Sequence, residues 1–443
     1  MNKEANDSYQ REVREILTQA ERLQREGRLD GATQLYRRLL SIAIEQEGGQ
    51  EEIIFALLRL GDIYLEGGQE SLAFECYRDA EERSLGIDFQ EGVLDCTQRR
   101  GAAHLIAGRW VEAAKAAKEG RDLARRLELR SFEAVFLGLL GQVERRMGNH
   151  ESALNCAFEG LQVSQMLGNL DEELTFLADM ALISLGKGDY EGAKRQAESG
   201  IRRAKEAVKP ERLAVFLGQK CHALRGCGEI DAARACAKEG LELAVDNGDK
   251  KEEATFRHDL ALFCQESGDI DGARKHSLEA YKAFLSMGNK EGALTSLRCL
   301  TMVFAEMGDW EGSVKGLIDA LVLAASMEQR LFLGTFLDLK SIVAHFWRQG
   351  RFDDANSVLA HMKQFFGDLE KELDASPSKD NYLHYLRLSV EVLSEFVSSK
   401  GRDKDGSDAL EGVIEKAKEV DSTIDMGLED FILELCDGRD SLL

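Results

Sequence analysis

Residues 185 to 192 read LGKGDYEG, which sets Gly186, Gly188 and Gly192 around Lys187. Glycine-rich turns with a lysine are where backbone N–H groups and an ammonium cradle phosphate, so nucleotide chemistry is the first question. A phosphate loop needs a strand before it, and the preceding DEELTFLADMALISL has helical periodicity instead. Cys221, Cys227 and Cys236 with His222 supply metal-ligand atoms, but their spacings match no zinc pattern. The run DKDGSD at 403–408 has the composition of a calcium loop, yet Gly401 and Gly412 stand where that pattern needs acids. No nucleophile elbow, HExxH or kinase set occurs, and Ser, His and Asp follow no order that specifies a triad. The expectation is a protein that is not an enzyme and has neither cofactor nor metal.

The elements around Gly188 explain its spacing better. Steps of 40 residues lead upstream to Gly148, Gly108, Gly68 and, with a one-residue slip, Gly27. Downstream they lead to Gly228, Gly268, Gly308 and, after two extra residues, Gly350. Five residues after each glycine stands a small residue, Ala32, Ala73, Ala113, Ala153, Ala193, Ala233, Ala273, Ser313 or Ala355. Seven before and twelve after it the columns are again mostly small, as at Ala181 and Cys221, or Gly120, Gly160, Gly200 and Gly240. With helical periodicity on both sides, each unit is a helix–turn–helix whose glycine leaves the first helix without side-chain penalty. Small columns let paired helices approach, and a hairpin that cannot bury its apolar face alone stacks on its neighbours. Asp179 and Asp259, which share a column two units apart, fit helix pairing or solvation better than an acid–base dyad.

Composition agrees. The 443 residues are 44% hydrophobic and 31% charged with two prolines, as a largely helical chain requires. Nine scattered cysteines without a CxxC pair indicate a reducing compartment, and the expected location is the cytoplasm. No apolar run is long enough for a membrane span or a signal-peptide core. The net charge of −23 argues against a nucleic-acid partner.

The columns resemble those of the tetratricopeptide repeat. Leu60-Gly61-Asp62-Ile63-Tyr64, the turn at Gly68, then Ala73, Tyr77 and Ala80 carry that pattern most fully. The turns GDYE (188–191), GEID (228–231), GDID (268–271) and GDWE (308–311) are similar too, over roughly residues 9 to 370. The repeat here is 40 residues against the usual 34, a length found in Pins-type adaptors and Rap-type regulators. The resemblance implies an all-α fold, a right-handed α-solenoid of about nine repeats with a concave groove that binds peptides, helices or other proteins. Residues 1–8 then form a leader, 9–370 the superhelix and 371–443 an acidic helical cap or tail.

In that family the first helix of each repeat faces the groove, chiefly 10, 6 and 3 residues before the turn glycine. These columns in repeats three to nine bring forward Gln142, Arg145, Leu182, His222, Arg225, His258, Leu262, Arg298, Met302, Lys340 and Trp347 as candidate groove residues. None of the 21 positions is acidic, where about four acids would fall by chance in this composition. Either the groove selects an acidic or amphipathic segment, its arginines clamping carboxylates, or partial burial alone excludes acids.

Past the ninth repeat, ASPSK (375–379) and GRDKDGS (401–407) read as loops between helices near 382–397, 408–420 and 426–436. Residues 366–443 hold 20 acids and 9 bases, and the last helix, LEDFILELCD, is itself acidic and amphipathic. It is either a fixed cap or a tail that occupies the groove until a partner displaces it. The function expected is a scaffold or adaptor that binds another protein, with self-association open. The alternatives are a peptide- or small-molecule-sensing regulator and a structural subunit of a larger complex.

Overall fold

The computed structural model describes residues 3–46, 49–325, 327, 330–372, 380–400, 407–423 and 428–437. Every regular element among them is an α-helix, and the chain divides into two compact units, Met1–Cys227 and Gly228–Leu443.

The N-terminal unit is a tandem stack of hairpins. They are α1 (Lys3–Arg25) with α2 (Leu29–Glu45), α3 (Gln50–Glu66) with α4 (Glu70–Gly86), and α5 (Gln90–Ile106) with α6 (Trp110–Arg126). Next come α7 (Arg130–Arg146) with α8 (His150–Leu167), α9 (Leu170–Lys187) with α10 (Tyr190–Glu206), and then α11 (Pro210–Gly226). Each helix packs on the one before and the one after it, and α3, α5, α7 and α9 also touch in series. Helix α1 starts at Lys3 and so runs through most of the stretch expected as a leader.

The stretch LGKGDYEG is one of these turns. Gly188 has φ +79°, its N–H reaches the Leu185 carbonyl at 3.1 Å, and the Asp189 N–H reaches that of Ser184 at 2.9 Å. This is a left-handed helix ending, which only glycine adopts without penalty. Asp189 then caps α10, accepting from the Gly192 N–H at 2.9 Å. Asp269, Asn289 and Asp309 repeat this cap on Gly272, Gly292 and Gly312. Lys187 is simply the last residue of α9.

The small columns do two different things. Ala73, Ala113, Ala153 and Ala193 are fully buried where the two helices of a hairpin meet. Gly120, Gly160 and Gly200 are holes: the rings of Phe136, Phe176 and Phe216 from the next first helix sit so close that a Cβ would overlap them. These rings are at most 4% exposed. Each neighbouring pair of these repeats is thus locked by one aromatic knob in one glycine hole. A second left-handed position separates repeats, filled by Gly168 in one place but by Asp88, Glu128 and Val208 in others, with φ of 55°, 60° and 53°.

The C-terminal unit begins with α12 (Ile230–Asp246) and continues with α13 (Lys250–Glu266) and α14 (Ile270–Ser286), α15 (Lys290–Glu306) and α16 (Trp310–Ala325). Then follow α17 (Arg330–Arg348) and α18 (Phe352–Glu372), α19 (Asp380–Lys400) and α20 (Ser407–Thr423), and α21 (Leu428–Asp437). One lock recurs here, Gly240 with Phe256. Beyond it the core changes character, and Phe346, Leu393, Phe396, Leu428, Phe431 and Ile432 share a single cluster. The helices expected near 382–397 and 408–420 are α19 and α20, and α21 covers most of the last one. The loop at 375–379 and residues 401–406 lie outside the described residues.

Candidate functional site

In the N-terminal unit the first helices α5, α7 and α9 enclose a pocket of about 370 Å³. Five residues of the sequence-derived columns line it: Gln98, Ala102 and Leu105 from α5, and Gly138 and Gln142 from α7. Phe176, Leu139 and Val135 complete its apolar wall, and Thr175 and Asp179 come from α9. Gly138 is unlike the lock glycines. A Cβ there would approach Phe176 no closer than 3.7 Å, an ordinary contact, so this glycine leaves space that no neighbour fills. Gly218 in the same column has nothing within 4 Å.

Arg145 and Asp179 line a narrow recess at the foot of the pocket. Burial pushes the Asp179 carboxyl up to about 6, and Arg145 and Arg212 only partly pull it back. Glu172 lines the pocket as well, so carboxylates do reach this surface although the three columns hold none in repeats three to nine. Asp179 escaped the column count because it stands one residue after Ala178. Asp62, a column residue of the second repeat, is matched internally, at 3.2 Å from Arg99 and accepting from the Tyr77 hydroxyl at 3.0 Å. Leu182, His222 and Arg225 are solvent-exposed, as are the apolar Ile106 and Val135.

The C-terminal unit treats the same columns differently. Arg298 donates to both Asp338 oxygens, at 2.6 and 3.0 Å, so it is spent within the fold and does not stand ready to clamp a ligand carboxylate. Burial raises the Asp338 carboxyl and the Arg298 guanidinium draws it back. Trp347 stacks on Phe396 at 4.4 Å and meets Phe352 edge-on at 4.9 Å, which makes it a core residue and not an open apolar contact. The Lys340 ammonium lies 5.4 Å from the centre of the Phe431 ring, under the last helix. His258 Nδ1 and Ser296 Oγ are 3.2 Å apart, but Ser296 is fully buried and closed to any substrate. Leu262 is partly buried against the cluster of Ala261, Cys264 and Val303, and Met302 is half-buried. Of the eleven candidates, Arg298, Lys340 and Trp347 make these contacts within the fold. Among the described residues, no helix is long and apolar enough to cross a membrane.

No family model matches the chain, and no curated protein matches it. Solved structures do. The apo form of RapI is 12% identical over 76% of this chain and 97% of its own, with a TM-score of 0.53. A signal-transduction ATPase of Pyrococcus horikoshii with a tetratricopeptide repeat sensor is 14% identical over 77% of this chain and 54% of its own, also at 0.53. What is shared at such identity is the fold, a tandem helical repeat of tetratricopeptide type.

Proposed function

We propose that the chain is a non-catalytic scaffold that holds a peptide or helical segment of a partner protein against its first-helix face. The observation that carries this reading is the pocket around Gly138, where an apolar wall meets the amides of Gln98 and Gln142. An amphipathic segment would place an apolar side chain against Leu105, Val135 and Phe176, with Leu182 extending the contact. Its acidic side would meet Arg145 and Arg225, and its backbone the two glutamines. His222 would serve a longer ligand on this unit, and His258, Leu262 and Met302 carry the same columns on the C-terminal unit. Helix α21, which already covers Lys340, would be a regulatory tail if a partner released it. Eight of the nine cysteines form no disulfide, which supports placing the protein in the reducing cytoplasm.

A second reading, a sensor for a peptide or small molecule, draws on the same pocket. Its volume falls within the range of about 300–1,000 Å³ that small ligands occupy. The sensor element named in the Pyrococcus ATPase is a helical repeat of this kind.

Gly138→Leu tests both. Its Cβ would make only an ordinary contact with Phe176, its side chain would reduce the open space, and it replaces a helix-interior glycine, which should raise stability by about 0.5–1 kcal/mol. Capture from native lysate, read by mass spectrometry, should lose its main partner in a variant that melts no lower than wild type. An unchanged capture list would remove the pocket from function. A melting shift of wild type by a short peptide or metabolite, absent in the variant, would favour the sensor.

A further inference from the structure

Helices α16, α17 and α18 of the C-terminal unit enclose a cleft of about 480 Å³, sharing no residue with the pocket around Gly138. Val314 and Ile318 from α16 form one wall, Val358 from α18 the other, and the fully buried Phe346 the floor. Lys315 and His361 stand at its rim.

Both the void and its lining have a cause in the repeat. In repeats three to six the residue twelve after the turn is a glycine, the hole that receives a ring from the next first helix. In repeat eight that position is Ala320, itself only 1% exposed, so a methyl group occupies the place of the hole. Repeat seven also has an alanine there, Ala280, and α14 still packs closely on α15, so what sets α16 to α18 apart is the two extra residues that α17 carries before its turn glycine. Six and ten residues after the turn, repeats five and six place charges, Lys194 with Glu198 and Arg234 with Lys238, whereas repeat eight has Val314 and Ile318. Eleven after the turn most repeats place an acid, among them Glu119, Glu159, Glu239, Glu279 and Asp319, but the ninth has His361. The cleft is therefore apolar where repeats five and six are charged, and it has lost the carboxylate that column otherwise supplies.

Among the described lining residues the one acid, Asp354, is paired with Arg351 at 2.7 Å. The His361 Nδ1 donates to the Ser357 carbonyl at 2.7 Å, which leaves Nε2 as the ring nitrogen for a ligand. An ammonium at the rim of a largely apolar cleft pairs with an anionic head while hydrocarbon covers the apolar lining.

We propose that this cleft binds a small amphiphilic carboxylate, a medium-chain acid whose head lies at Lys315 and whose chain lies along Val314 and Ile318 towards Val358. A positive partner is disfavoured by Lys315, and a strongly polar one by the four apolar side chains of the lining.

Calorimetric titration of the full chain with octanoate and decanoate, kept below micelle formation, tests the assignment. Decanol and decyltrimethylammonium are the neutral and cationic controls. The expected result is one saturable site, tightening about fourfold per added methylene until the cleft is full. Lys315→Glu should weaken decanoate about tenfold or more and leave decanol nearly unchanged, while Ile318→Asp should weaken both. Lys315→Glu is expected to melt as wild type because Lys315 is exposed, whereas Ile318 packs on the core cluster, so Ile318→Asp is titrated only where its melt shows it folded. The proposal is overturned by absence of a saturable site for decanoate, by wild-type affinity in both variants, or by equal affinity for the cation. Because no residue is shared with the Gly138 pocket, partner capture in the first experiment is independent of the outcome.

Discussion

The first helices of repeats three to five and those of repeats eight and nine present the same three columns to very different surroundings. In α5, α7 and α9 these columns hold Gln98, Gly138 and Gln142 around open space, and exposed Leu182 continues the surface. In α15 and α17 the equivalent residues are engaged within the protein, Arg298 by Asp338, Trp347 by Phe396 and Lys340 by Phe431. A column position in a repeat protein thus states which way a side chain faces, and the neighbouring repeat decides whether anything is left for a ligand. Where small residues recur, the face stays open. Where large ones enter, the last helices come to cover them.

The difference can be attacked from its strongest side. Phe176→Ala empties the hole at Gly160 and should cost about 3–5 kcal/mol, read by urea unfolding, because a fully packed ring is lost. A cost below about 1 kcal/mol would show that the locks do not hold the open repeats together. Arg298→Glu sets a second negative charge against the mostly buried Asp338 and should destabilise by about 2–3 kcal/mol, while Arg145→Glu should cost less than about 0.5 kcal/mol. Equal melting of the two variants would erase the contrast between the regions.

Titration offers a smaller and sharper test. Asp179 is held at about 6 against about 3.9 in an unfolded chain, so the folded state binds its proton more tightly. This group's contribution therefore favours folding increasingly as pH falls from 7 through 6 towards 4, and opposes it above 6. Asp179→Asn should gain about 2 kcal/mol more at pH 7 than at pH 4.5, the gain vanishing only below the unfolded pKa, measured as thermal melts across that range. A gain that is the same at both pH values would mean that the substitution acts through packing. The smallest effect lies between repeats, where Val208 is 82% exposed with φ 53°. Val208→Gly relieves a left-handed β-branched residue and should stabilise by about 1 kcal/mol, whereas Gly168→Val should lose as much.

Much of this was legible before any coordinates. Turn glycines, fully buried alanines and hairpin order all follow from one period, because a repeated local environment imposes a repeated residue type. The ring locks were half visible: the glycines stood out as small residues, but Phe136, Phe176 and Phe216 read as ordinary apolar positions of the next helix. Arg298 with Asp338 spans one repeat between two columns, and inspecting each column alone could not pair them. Lys340 with Phe431 joins a repeat to a helix outside the period, so no spacing marks it. Asp179 was missed by one residue, since the family geometry singles out Ala178 and a pocket is lined by whatever borders the space.

Gly138 and Gly218 have a further consequence, concerning design. A β-carbon at the first would make only an ordinary contact and at the second none within 4 Å, so stability does not dictate the residue at either position. Most residues substituted there would improve the helix, which separates the choice of ligand from the cost of folding. Each is a blank socket on a rigid frame. A library that varies only these two residues, with Gln98 and Gln142 fixed, would retune what the surface accepts while every member still folds.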